Sequence, residues 1–134
     1  MSRNAGCIVF RRLNGIVEYL VIFKKDLKFW EFPKGRVDAG ESDLNAMKRE
    51  LLEETGIKDF KLFPAFRHSF FITPAPNVTR EVINYLIEVS PETKVNLSEH
   101  SEFKWVSFED AKKSFSFDNL KELIDKGKAF IEKN

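Results

Sequence analysis

Cysteine is almost absent from the chain: Cys7 is the only one among 134 residues, so no intrachain disulfide can staple the fold. That is compatible with a reducing compartment. A lone thiol in a β-rich stretch, with no spaced histidine to activate it, reads as a small buried side chain. An excess of either charge is also missing, with 22 basic residues against 21 acidic ones. No basic surplus points to nucleic acid, and no acidic tail points to disorder. Long apolar runs are absent: Tyr19 to Phe23, an uninterrupted aliphatic and aromatic run, falls far short of the roughly 20 residues a membrane helix needs. The N-terminal "MSRNAGCIVFRR" puts most of its positive charge after the apolar stretch, the reverse of a secretory signal. These absences lead us to expect a cytoplasmic protein without a membrane partner. The two histidines, His68 and His100, have no zinc-ligand spacing. No repeat, linker or low-complexity tract interrupts the chain, and its length suits one domain over residues 1–134.

What is present is a succession of β-rich runs. Residues 5–13 and 16–25 flank Asn14-Gly15, the strongest short hairpin signal. Residues 29–32 give a short strand that Pro33 ends. Residues 60–72 give one strand or two, broken near Pro64. The prolines of residues 73–77 predict a loop, and strands follow over 80–89 and 102–108. Two or three helices punctuate them. The first spans Ser42 to Thr55, with Ser42 as its cap and Gly56 as its left-handed stop. A short one covers Glu109 to Ser114. The last, over 118–133, carries Leu120, Leu123, Ile124, Phe130 and Ile131 on one side. In its middle Gly127 costs about 1 kcal/mol relative to alanine. The order predicts an α/β or α+β sandwich in which helices flank a mixed sheet.

The first helix poses a physical question. Leu44, Met47 and Leu51 make its core stripe, and Glu50, Glu53 and Glu54 share an adjoining arc. Like charges at spacings of three and four cost an isolated helix a few tenths of a kcal/mol each, and more if partly buried. A divalent cation removes the objection, because hard oxygen ligands on one helical face suit Mg²⁺ or Mn²⁺. Arg49, four residues before Glu53, can hold that carboxylate in one rotamer. The preceding loop, "FPKGRVDAGE", has the proline and glycines that bend a chain sharply against a ligand.

Gly35, Glu41 and then Arg49-Glu50-Leu51-Leu52-Glu53-Glu54-Thr55-Gly56-Ile57 match every fixed position of the 23-residue Nudix box, over residues 35–57. The chain thus resembles the Nudix hydrolases, which use divalent metal to cut a nucleoside diphosphate linked to another moiety. The resemblance implies a Nudix-type α/β/α sandwich. It also implies Glu53 and Glu54 as metal ligands, and Glu50 as either a ligand or the base that takes a proton from water. It makes Arg49 the residue that orients the glutamates and Glu41 a support for the loop. It brings the backbone carbonyl at the Lys34–Gly35 junction toward the metal, and points to Glu99 as one further acid from a late loop. Such chemistry needs cations to neutralise the phosphoanhydride and to acidify the attacking water.

The flanks "FWEFPKG", "AGCIVFRR", "NYLIEV" and "EHSEFKWVSFEDA" resemble the asymmetrical diadenosine tetraphosphate hydrolases over about residues 5 to 112. Arg36 departs from that pattern, standing where animal relatives often have histidine. The implied reaction gives ATP and AMP. Lys34, with Lys24 and Lys25 behind it, would meet the polyphosphate. Tyr85, Phe70 and Phe71 are the candidate platforms for adenine. The expected partner is therefore a small nucleotide. Four other readings stand beside this one: a nucleoside triphosphate hydrolase, a trimmer of triphosphorylated RNA 5′ ends, a non-catalytic nucleotide-binding regulator, and a plain structural domain whose acidic helix is only solvated.

Overall fold

The computed structural model describes residues 2–97 and 101–134. Its strands are β1 (Ser2–Leu13), β2 (Ile16–Lys24), β3 (Phe29–Glu31), β4 (Lys34–Arg36), β5 (Lys61–Leu62), β6 (His68–Ala75), β7 (Val78–Glu88) and β8 (Ser101–Val106). The helices are α1 (Asp43–Thr55), α2 (Phe108–Ser114) and α3 (Asp118–Lys133). Asn14 and Gly15 both have positive φ, 53° and 79°, which is what a type I′ turn requires, and Leu13 pairs with Ile16 across it. Ser42 Oγ accepts from Asn45 N–H at 3.1 Å and caps α1. Gly56, at φ 75°, ends that helix by donating its N–H to Leu52.

The sheet is mixed. β1 runs parallel to β7 from Ser2–Arg80 to Phe10–Glu88, while the other pairings are antiparallel. Strands β1 and β2 pair only between residues 10–13 and 16–19, beside their turn. Beyond that they diverge. β4 then takes the free edge of β1 at Asn4 to Gly6, and β3 takes the free edge of β2 at Ile22 to Lys24. The sheet is thus forked, and Phe32-Pro33 joins the two tines.

Alternation along the strands divides the core into two layers. Cys7, Val9, Ile83 and Ile87 pack with Ala46, Met47 and Leu51 of α1. Ile8, Phe10 and Leu86 pack with Ala111 of α2 and Leu120, Leu123, Ile124 and Ile131 of α3. Cys7 is buried, as its sequence context predicts. Helices therefore lie on both faces, as expected of an α/β/α sandwich. Among the described residues, no helix is long and apolar enough to cross a membrane.

Two local expectations need correction. Residues 73–77 are not a loop, because β6 continues to Ala75, and Pro76-Asn77 alone forms the turn to Val78. The strand tolerates Pro74 because the register slips between Ile72 and Ala75, a bulge that relieves the missing donor. The stretch after Pro33 is not wholly loop either, since its first three residues form β4 against β1.

Candidate active site

Helix α1 closes the fork. Lys34 N–H, at the start of β4, donates to Glu54 Oε1 at 3.2 Å, and Lys24 Nζ of β2 lies 3.5 Å from Glu54 Oε2. Gly35 faces Glu50 so closely that a Cβ there would stand 2.0 Å from the Glu50 carboxyl carbon. That contact requires glycine by space, not by φ.

Arg49 organises the rest. Its Nε and Nη2 fork onto the two oxygens of Glu41 at 2.8 and 3.0 Å. Its Nη1 reaches Glu50 Oε1 at 2.8 Å and Glu53 Oε2 at 3.3 Å. Nη2 also donates to the Arg36 carbonyl at 2.8 Å, tying the loop to the helix. Glu41 in turn accepts from the Asp38 N–H. The Arg49 hydrogen bonds, with that backbone bond, hold the Glu41 carboxyl down at about 2. The hydrogen bonds to Glu41 and Glu50 raise the Arg49 pKa further.

Glu54 behaves in the opposite way. Burial pushes its pKa up to about 7, Glu31 and Glu50 add to the rise, and Lys24 opposes it. A cavity of about 590 Å³ opens beside these groups, lined by Glu50, Glu53, Glu54, Lys24, Lys25, Asp26, Ile22, Leu97 and Ser101. Among the described residues, no three Asp, Glu, His or Cys side chains are grouped tightly enough to enclose an ion. Glu50 and Glu53 turn to Arg49, and Glu54 turns to the Lys34 N–H. The donor set nevertheless fits a hard divalent cation. It offers carboxylate oxygens only, one of them on a half-buried acid whose ionised form Lys24 and the Lys34 N–H compensate only in part.

The structure brings Glu50, Glu53, Glu54, Arg49, Glu41, Lys24, Lys34 and Gly35 into one neighbourhood. It places Tyr85 elsewhere. That side chain is 8% exposed, lies in the α1-side core, and contacts Arg67 rather than the cavity. As an even-spaced strand residue between Ile83 and Ile87, it follows them inward. Phe70 packs against the opposite core layer, and Phe71 is exposed. His68 sits edge-on to Phe66, and burial lowers its pKa. Glu99 and His100 lie outside the described residues.

One acid escaped the sequence reading: Glu31, 1% exposed, whose charge is felt by Glu54. The available signal was a carboxylate between aromatic residues in "FWEF", where a short strand would ordinarily stay apolar.

A NUDIX domain model matches residues 2–126. The mouse bis(5′-nucleosyl)-tetraphosphatase [asymmetrical] is 34% identical over 140 residues, spanning 96% of this chain and 95% of that protein. The crystal structure of a C. elegans Ap4A hydrolase binary complex superposes with a TM-score of 0.93 at 29% identity, covering 100% of both chains. An RNA pyrophosphohydrolase of Nitratiruptor is 27% identical over 107 residues, 70% of this chain and 69% of that protein. The chain belongs to the NUDIX domain family.

Proposed function

We propose that the protein is a pyrophosphohydrolase that cuts a phosphoanhydride bond in nucleoside polyphosphates, with diadenosine tetraphosphate as substrate and ATP and AMP as products. Residues 1–134 act as one catalytic unit in this reading, and a chain with one buried cysteine suits the cytoplasm. The observation that carries it is Glu54, half-buried at the junction of both sheet tines and bordered by Glu50, Lys24 and the Lys34 N–H. The likeness to the asymmetrical tetraphosphatase over nearly the whole chain narrows the substrate.

Nudix hydrolases are in general divalent-metal dependent. Here Glu50, Glu53 and Glu54 would hold Mg²⁺ or Mn²⁺, which neutralises phosphate charge and acidifies water when bound. The chain's own residues do the rest. Arg49 keeps Glu50 and Glu53 from splaying apart, and Glu41 keeps Arg49 in place. Glu50 and Glu53 supply carboxylate oxygens for the cation and for the proton that the attacking water gives up. Lys24, Lys25 and Lys34 meet the negative chain of the substrate.

The test is one panel of diadenosine tetraphosphate, dGTP, ADP-ribose and triphosphorylated RNA, each with Mg²⁺. ATP and AMP from the first at the highest kcat/KM is the expected result, and turnover of none would reject the reading. The similarity to an RNA pyrophosphohydrolase supports 5′-end trimming as a second reading. It predicts preference for the RNA and binding that weakens steeply with salt.

A further inference from the structure

The fork contains a charged pair that the roles above leave unexplained. Glu31, the last residue of β3, is 1% exposed. Its Oε1 lies 3.1 Å from Lys34 Nζ, an ion pair without the alignment of a hydrogen bond. Its Oε2 has no hydrogen-bond partner among the described residues. A buried carboxylate with one cationic neighbour among the described residues is poorly compensated for lost water, and an apolar side chain of similar volume would pack there at lower cost. Stability therefore does not explain Glu31.

Its geometry does. Lys34 is held at both ends, by its N–H on Glu54 Oε1 at 3.2 Å and by its ammonium on Glu31. Pro33 lies between Glu31 and Lys34 and stiffens the corner. Were Lys34 to swing away, Glu31 would be left as an unpaired buried charge, so the ammonium stays at the corner between β3 and β4. It is still 23% exposed and carries three donor hydrogens.

We infer that Glu31 is a positioning residue whose buried carboxylate fixes the ammonium of Lys34, the residue whose N–H holds Glu54, so that this cation meets the polyphosphate in one preset place. The inference rests on the phosphoanhydride-hydrolase reading.

Its test uses E31Q, E31D, K34M and the double variant E31Q/K34M. Three quantities are measured: KM and kcat for diadenosine tetraphosphate with Mg²⁺, the Kd of inorganic tripolyphosphate, and Tm. E31Q should raise KM and Kd about tenfold, with kcat changed by less than about threefold. E31D keeps the charge but withdraws it by a methylene, and should behave as E31Q does. In the K34M background, E31Q should shift Kd by less than about twofold, since there is no longer a lysine to position. It should also recover part of the Tm that K34M loses through the stranded carboxylate.

Wild-type KM and Kd in E31Q would overturn the inference. So would wild-type behaviour of E31D, which would mean that charge without placement suffices. An equal shift from E31Q in both backgrounds would also overturn it, since Glu31 would then act on phosphate directly. Should E31Q fail to fold, E31D decides. Lack of turnover by the wild-type protein counts against the proposed substrate alone, because tripolyphosphate binding still reports on Lys34.

Discussion

At the scale of the residue, the site depends on small tolerances. Gly35 has no room for a methyl group, because Glu50 occupies it. Gly35→Ala should displace the Glu50 carboxylate by an ångström or more and reduce turnover about a hundredfold. A retained melt in circular dichroism would separate this from unfolding. Glu53 is more than half exposed and meets Arg49 only at 3.3 Å. Glu53→Gln should therefore keep a cooperative melt yet lose turnover by about a hundredfold or more. Wild-type kcat would remove Glu53 from the site. Glu54 gives a pH dependence of defined sign. Its folded pKa, about 7, stands above the ordinary glutamate value of 4.5, so the folded protein holds this proton more tightly than the unfolded chain does. Its favourable contribution is complete below the unfolded value and is lost as pH rises through 7. In chelator-treated protein, Tm should fall from this group between pH 4.5 and 7. Added Mg²⁺ should raise Tm more at pH 7.5 than at pH 5, which differential scanning calorimetry would measure. Glu54→Gln should flatten both trends.

At the scale of the element, legibility followed locality. The ends of α1 could be read because Ser42 and Gly56 act within one turn of themselves. The Asn14-Gly15 hairpin was legible for the same reason, and α3 because five core residues recur at helical spacing. Gly127 shows what such reading misses. It costs helix propensity, but a Cβ there would stand 2.7 Å from Ile8 Cδ1, so its absence lets α3 settle on β1. Gly127→Ala should gain about 1 kcal/mol of propensity and lose about 1–3 kcal/mol to overpacking. The expected net effect is a lower midpoint in urea, and a higher one would show that Ile8 repacks freely. The strand β4 was hidden because three residues following a proline carry no periodicity, and only the free edge of β1 makes them a strand. Tyr85 was misleading because a sequence shows that an aromatic exists on a strand, not which layer it faces.

At the scale of the molecule, the box helix could be read as acidic and amphipathic, but not as the closure of a fork. That arrangement depends on where β1 and β2 part company, which no local pattern records. It also explains why Glu31 was missed, since Lys34 belongs to the other tine and Glu54 to the helix that closes the fork. The parallel union of β1 with β7 has a further consequence. Cys7 finds Tyr85 only after the box, its helix and the β6–β7 hairpin have all been made. A nascent chain leaving the ribosome therefore has its glutamates long before it has the platform that aims them. Long-range pairings of this kind slow folding. Truncations that stop short of β7 should emerge as inert, protease-sensitive fragments, and adding residues 78–88 in trans would be the most direct way to watch the catalytic end of the molecule come into being.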